Sequence, residues 1–245
     1  MESVLRTERQ TAAAAGRRSA GLAPAQAALL AGSLARFQIG ETGEGRIVRE
    51  LAASGLPGLD HDHGRAFALL IKEEGRHARI LALAVRALGG RLLATTWTKR
   101  TFELVRRLLG VRLEVLVLLC AEVVGIAFYS LLAARLAGSA LGAALAQIAG
   151  DERAHREFHR DFFRRQAPPG PRRWLFEATF AAGCQVALLV VLCDHRRTLR
   201  ALGIPLGASA RWMVALARET GQLDAPPRAP AFAGVDAVGF GPEVA

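Results

Sequence analysis

The sequence predicts an all-α protein: a four-helix bundle with a long crossover and additional C-terminal helices. Three observations carry that reading. Alanine, leucine and arginine dominate a chain that is 51% hydrophobic but only 6% aromatic, a composition that favours helix over sheet. Apolar residues recur at alternating steps of three and four, the period of one helix face. Gly- and Pro-containing turns separate these periodic stretches. With 245 residues, the chain is long enough for one substantial core.

Taken in order, residues 1–23 carry scattered arginines and a short alanine run, and read as a flexible N-terminal arm. Pro24 suits the first turn of helix one, which is expected to run to about Ser54. Its inward line is Leu30, Leu34, Phe37, Glu41, Glu44, Val48 and Leu51. Two carboxylates therefore fall on an apolar stripe, flanked by Gly40, Gly43 and Gly45. That many glycines in a helix interior imply local distortion, close packing or a ligand. After the turn Gly55-Leu56-Pro57-Gly58, Asp60 or Asp62 caps helix two. This helix carries Phe67, Leu70, Glu74, His77 and Leu81 inward and ends at Gly89-Gly90.

A long connection follows, with Trp97 and a short helix expected over about 98–109, and it suits a crossover between two halves of a bundle. Helix three, about 111–137, presents Leu118, Glu122, Gly125, Tyr129 and Leu132 on one line. Helix four, about 140–166, presents Leu145, Ile148, Glu152, His155, His159 and Phe162. Helices five and six are expected at about 173–202 and 207–221. The resulting division is an arm at 1–23, a helical domain at 24–222 and a flexible tail at 223–245. Within the helical domain, 24–166 form the bundle core and 171–222 the extra helices.

Charge and cysteine content narrow the functional classes. The formal net charge is +10, with Lys72 and Lys99 the only lysines. A solvated arginine surface explains this balance; an acidic partner such as a carrier protein, a ferredoxin or an anionic membrane is the other reading. No nucleic-acid motif occurs, and aromatics are not interleaved with the basic residues, so nucleic acid is not expected. Cys120, Cys184 and Cys193 lie in apolar stretches without a CxxC, as buried free thiols in a reducing cytoplasm would. The N-terminus lacks the apolar core of a signal peptide, which points to a cytoplasmic location. The run 115–133 is broken by Glu122, and the uncharged run 178–193 is short of the ~20 residues a spanning helix needs. Both are expected to be buried core helices.

The chemistry is carried by a repeated motif. Glu74-Gly75-Arg76-His77 and Glu152-Arg153-Ala154-His155 each place a carboxylate and an imidazole at i and i+3, one turn apart on one helix face. Each is preceded by a helix whose apolar stripe carries an acid: Glu41 or Glu44 in the first half, Glu122 in the second. The intervals Glu44 to Glu74 and Glu122 to Glu152 are thirty residues each, an internal duplication in pattern. One Glu-x-x-His is common on a solvated helix face. Two of them, each with a companion acid in an apolar stripe, need compensation, because burying ionised carboxylates costs several kcal/mol per ion.

Two divalent cations would supply that compensation. The ligand set is Glu41 or Glu44, Glu74, His77, Glu122, Glu152 and His155. The alternative, pairing with Arg76 and Arg153 inside the motifs, is disfavoured because position i+2 points away from the face of i and i+3. An oxygen-rich set with two imidazoles favours iron, with manganese the alternative.

Other residues have weaker cases. Glu73 and Asp151 are acceptors for histidine N–H groups or simply solvated. His159 is a third nitrogen donor or an ordinary core histidine. Tyr129 is redox-active or core. Asp194, with His195, reaches toward the site or belongs to a helix-end cluster with Arg196 and Arg197. His61 and His63, near a turn, are expected to be exposed.

Over roughly residues 30–165 the sequence resembles the ferritin-like di-iron carboxylate superfamily. Glu74-x-x-His77, Glu152-x-x-His155, Glu122 and a helix-one carboxylate match its six-ligand pattern. The paired motifs Glu73 to His77 and Asp151 to His155 look like those of soluble acyl-carrier-protein desaturases and related bacterial oxygenases. The resemblance implies a ferritin-like four-helix bundle holding two iron ions. It implies an oxidoreductase of monooxygenase or desaturase type that activates O2 to hydroxylate, desaturate or N-oxygenate a small or carrier-bound acyl substrate. It also implies an external electron donor, a ferredoxin or flavoprotein reductase, and is compatible with a homodimer. Phe37, Leu118, Gly125 and Ile148 would line a greasy substrate channel or pack as ordinary core. Iron storage or peroxide scavenging, as in ferritins and rubrerythrins, is the alternative. A metal-free structural bundle is the third reading.

Overall fold

In a computed structural model, the described residues are 21–42, 45–57, 59–97 and 110–225. They form seven α-helices and, among the described residues, no strand. These are α1 (Pro24–Gly40), α2 (Arg46–Ala53), α3 (His61–Ala87), α4 (Gly110–Arg135), α5 (Ala140–Gln166), α6 (Pro171–Ala201) and α7 (Leu206–Gly221). Expectations for the arm up to residue 20, for Glu44, for a short helix at 98–109 and for the tail beyond 225 lie outside the described residues. The chain divides into two compact units, Met1–Val115 with Ser139–Leu141 and Leu116–Gly138 with Gly142–Ala245.

In the first unit, α1 begins at Pro24, whose fixed φ suits a first turn that has no hydrogen bond to lose. Gln26 completes the start by accepting the Ala23 N–H at 3.0 Å. The single helix expected from Pro24 to about Ser54 is corrected: α1 stops at Gly40 and α2 starts afresh at Arg46. Gly45, just before α2, has φ +63°, a left-handed conformation that costs a glycine little and would strain other residues.

The start of α3 follows from Asp60, whose carboxylate accepts the His63 N–H at 2.9 Å. That hydrogen bond also holds the Asp60 carboxyl below its ordinary pKa. The expectation that His63 is exposed is corrected. It is buried, with Nδ1 3.4 Å from Asp60 Oδ1, whereas His61 is exposed as expected.

Both α1 and α2 pack on α3. Leu30 and Leu34 of α1, Leu51 of α2, and Phe67, Leu70 and Leu81 of α3 are buried. After α3 the chain turns through Gly89 (φ +77°) and Gly90. A Cβ at Gly90 would lie 2.6 Å from Ala31 Cβ and 3.1 Å from Val85 Cγ1, so only glycine fits the approach to α1.

The second unit contains most of α4 and α5, and all of α6 and α7. Leu119, Val123, Ile126 and Leu132 of α4 are buried, as are Leu145, Ile148 and Phe162 of α5. Gly142 brings the first turn of α5 against the Leu136 carbonyl, where no Cβ could sit. Phe162, Phe163, Phe176 and Phe180 form a continuous run of ring contacts joining α5 to α6, with centroids 4.6–5.7 Å apart.

Between α4 and α6, Cys184 Sγ donates to Cys120 Sγ at 3.6 Å, and the His195 ring lies 4.8 Å from Phe128. α6 packs on α7, with Phe180 beside Gly221. Arginines then tie the segment after α7 to the helices. Arg160 donates to the carbonyls of Gln222 (2.7 Å) and Ala225 (3.0 Å), and Arg164 to that of Leu223 (2.6 Å). Arg173 pairs with Asp224 at 2.7 Å.

Two of the helices, α4 and α6, are long and apolar enough to cross a membrane. The expectation that both are buried core helices holds for α4 and is corrected for α6. In its most apolar window 28% of α6 is buried, against 78% for α4. Cys193, on the exposed side of α6, is likewise exposed rather than buried.

Candidate metal centre

Buried and half-buried groups of carboxylates and histidines, able to hold a metal ion, occur in this all-helical protein. In the first unit the group comprises Glu41, Glu74 and His77, with one donor atom from each lying within 4.8 Å of the others. Helix periodicity brings Glu74 and His77 to one face of α3. Glu41 arrives because α1 has just ended: its N–H still bonds the Phe37 carbonyl at 3.1 Å, and the Thr42 hydroxyl donates to the Ile39 carbonyl at 2.6 Å. The end of α1 thus carries the acid. His77 is fully buried, while Glu41 and Glu74 are half-buried.

In the second unit the group comprises Glu122 from α4 with Glu152 and His155 from α5, again within 4.8 Å of one another. All three are buried. His155 Nδ1 is 3.2 Å from Glu152 Oε2 and 4.0 Å from Glu122 Oε2. Gly125, one turn beyond Glu122, leaves room beside the Glu152 stem: a Cβ there would meet Glu152 Cγ at 3.9 Å and Tyr129 Cε2 at 3.5 Å.

His159, one turn beyond His155, is fully buried with Nε2 3.2 Å from Glu122 Oε1. Burial pushes its pKa down to about 3; nearby His155 adds to that shift and Glu152 opposes it. A neutral His159 bonded to Glu122 is assigned the Nε2–H tautomer, with Nε2 as donor. In that state it orients the Glu122 carboxylate.

Arg153 donates to the Ala149 carbonyl (3.1 Å) and the Ser130 hydroxyl (3.3 Å), and its own pKa is lowered by burial and by Arg156. Arg156 and Arg160 both bind Glu157, at 2.8–2.9 Å. The donor chemistry of these groups would suit a metal ion. Two carboxylates and one imidazole supply hard oxygen and borderline nitrogen donors, and a bound ion's charge would offset the cost of burying the acids.

Every member of the two triads was singled out by its place on an apolar helical line. Among the weaker candidates, Tyr129 is fully buried with its ring beside Phe128, Glu73 is exposed and Asp151 is half-buried. Asp194 is only half-buried; its neighbour His195 is the buried member of that pair. The contact from His159 to Glu122 was missed as a specific interaction. Its only signal was that position 159 continues the line through 148, 152 and 155.

No family model, curated protein or solved structure matches the chain. The chain is thus defined at the level of an all-α protein with carboxylate–histidine groups able to hold metal.

Proposed function

We propose that each triad holds one iron ion and that the protein is a non-haem di-iron oxidase or oxygenase with ferritin-like topology. One observation carries this reading. The same donor set, an acid from one helix or its end plus Glu-x-x-His from a later helix, occurs in each of the two units. Bound iron would supply activation of O2 for hydroxylation, desaturation or N-oxygenation of a small or carrier-bound acyl substrate.

The chain's own residues have separable tasks. Glu122, Glu152 and His155 hold one ion, and Glu41, Glu74 and His77 the other. His159 fixes the Glu122 carboxylate through its N–H. Leu119, Ile148 and Phe162, buried on the two helices that carry the second triad, would help to keep water out. The excess of arginine suits an acidic electron donor or an acidic acyl carrier.

Anaerobic titration with ferrous iron, followed by oxygen-uptake measurement, tests the reading. The expected result is about two irons bound per chain, with oxygen consumption that organic acyl or amine substrates accelerate. Absence of iron uptake would remove its basis. Iron oxidised and retained as a mineral core, with no substrate turnover, would favour storage instead.

A further inference from the structure

The α6 helix carries a feature that the metal centre does not use. One face is built into the second unit through Phe176, Phe180, Cys184 and His195. The opposite face is exposed and mostly apolar: Trp174, Leu175, Val186 and Leu189 are each between 60% and 70% exposed, Ala178 and Ala182 lie among them, and Gln185 is a polar residue on it. At 1.5 Å per residue, Trp174 to Leu189 extends over about 22 Å. No charged residue interrupts 178–193. The same face then continues into Arg196, Arg197 and Arg200, all exposed. Isolated exposed apolar side chains need no explanation, but a mostly apolar stripe of this length marks an interaction surface.

We propose that this face seats the protein on an anionic lipid bilayer. The apolar stripe would lie among the acyl chains and the arginines would reach the phosphates. Charge decides between this occupant and a second copy of the chain. A formal charge of +10 on each molecule opposes self-association and attracts an anionic surface. Arginine side chains extend far enough to keep their guanidinium groups at the headgroups while the neighbouring turns insert. Trp174, at the far end of the stripe, has the amphipathic ring that settles at a membrane interface. Because its other face is occupied by α4 and α7, α6 lies on the bilayer and does not span it. This inference is independent of the metal reading.

The test is co-sedimentation of the full chain with vesicles of phosphatidylcholine, with and without phosphatidylglycerol. The chain is expected to bind the phosphatidylglycerol vesicles and to show a blue shift of Trp174 emission, isolated as the difference from Trp174→Phe. Val186→Glu with Leu189→Glu, and separately Arg196→Glu with Arg197→Glu, should each weaken binding about tenfold or more with unchanged circular dichroism. Three outcomes overturn the proposal. One is no binding. Another is binding unaffected by the Val186/Leu189 pair and abolished by salt, which is adsorption by net charge alone. The third is a soluble dimer that the Val186/Leu189 pair dissociates.

Discussion

His159 Nε2 stands 3.2 Å from Glu122 Oε1, two buried groups 37 residues apart in sequence that hold α5 against α4. Neither residue belongs to a Glu-x-x-His motif. Together they set the orientation of the only acid that α4 contributes to the second triad. Loss of the imidazole would leave the carboxylate buried without this donor.

His159→Phe is therefore expected to lower metal affinity about 10–100-fold while the helical content is retained. His159→Gln, which keeps an N–H donor, should recover part of the loss. Calorimetric metal titration alongside circular dichroism measures both. Equal affinity in all three proteins would show that the contact does not orient the ligand.

Metal should stabilise the fold by mass action. With free ferrous or manganous ion at about 100 times its Kd, unfolding free energy should rise by about 2.7 kcal/mol, and a chelator should reverse the gain. Glu74→Ala and Glu122→Ala should each reduce it. Glu152→Gln, which removes one ligand charge and alters the 3.2 Å contact with His155 Nδ1, should also reduce the metal-dependent gain. Thermal melts with and without metal measure that gain.

Gly90→Ala is expected to destabilise the first unit by about 1–3 kcal/mol, because its Cβ would collide with Ala31 Cβ, which has no other rotamer to adopt. Gly64→Ala, inside α3 with open space around it, should be neutral or stabilise by up to about 1 kcal/mol. Urea denaturation midpoints of the two variants should move in opposite directions.

Arg160→Met should cost about 2–3 kcal/mol, because the Gln222 and Ala225 carbonyls and the Glu157 carboxylate all lose a donor. Arg160→Lys should not restore it, since an ammonium lacks the planar fork that reaches all three. Limited proteolysis should then cleave after α7 sooner than in the parent protein.

Thiol labelling should resolve one fast cysteine and two slow ones. Cys193 is exposed, whereas Cys120 and Cys184 are buried 3.6 Å apart. Hydrogen bonding from Cys184, together with burial, pushes the Cys120 thiol well up from its ordinary pKa, so thiolate is scarce. Maleimide consumption of about one equivalent before unfolding, and three after, is the expected result.

Sequence alone was enough to place the later helices. An Asp60 or Asp62 cap and the Gly89-Gly90 stop are local signals, and α3 through α7 begin and end within a few residues of the expected bounds, α6 starting at Pro171 against an expected 173. The members of both triads were also legible, because i, i+3 spacing is a property of the helix and survives any packing. Glu41 was legible only as one of two acids; Glu44 lies outside the described residues.

Tertiary structure decided what periodicity could not. Periodicity continues through Gly40, yet α1 ends there and α2 starts only after Gly45, whose φ is left-handed. Whether an uncharged helix is enclosed depends on how many neighbours surround it: α4 is enclosed and α6 is covered on one face only. His63 is buried through the turn that Asp60 caps, and His159 finds its partner Glu122 on another helix. In each case a one-dimensional pattern specifies which face a side chain occupies. The partner on that face is chosen by contacts between distant residues, and only the folded chain contains those.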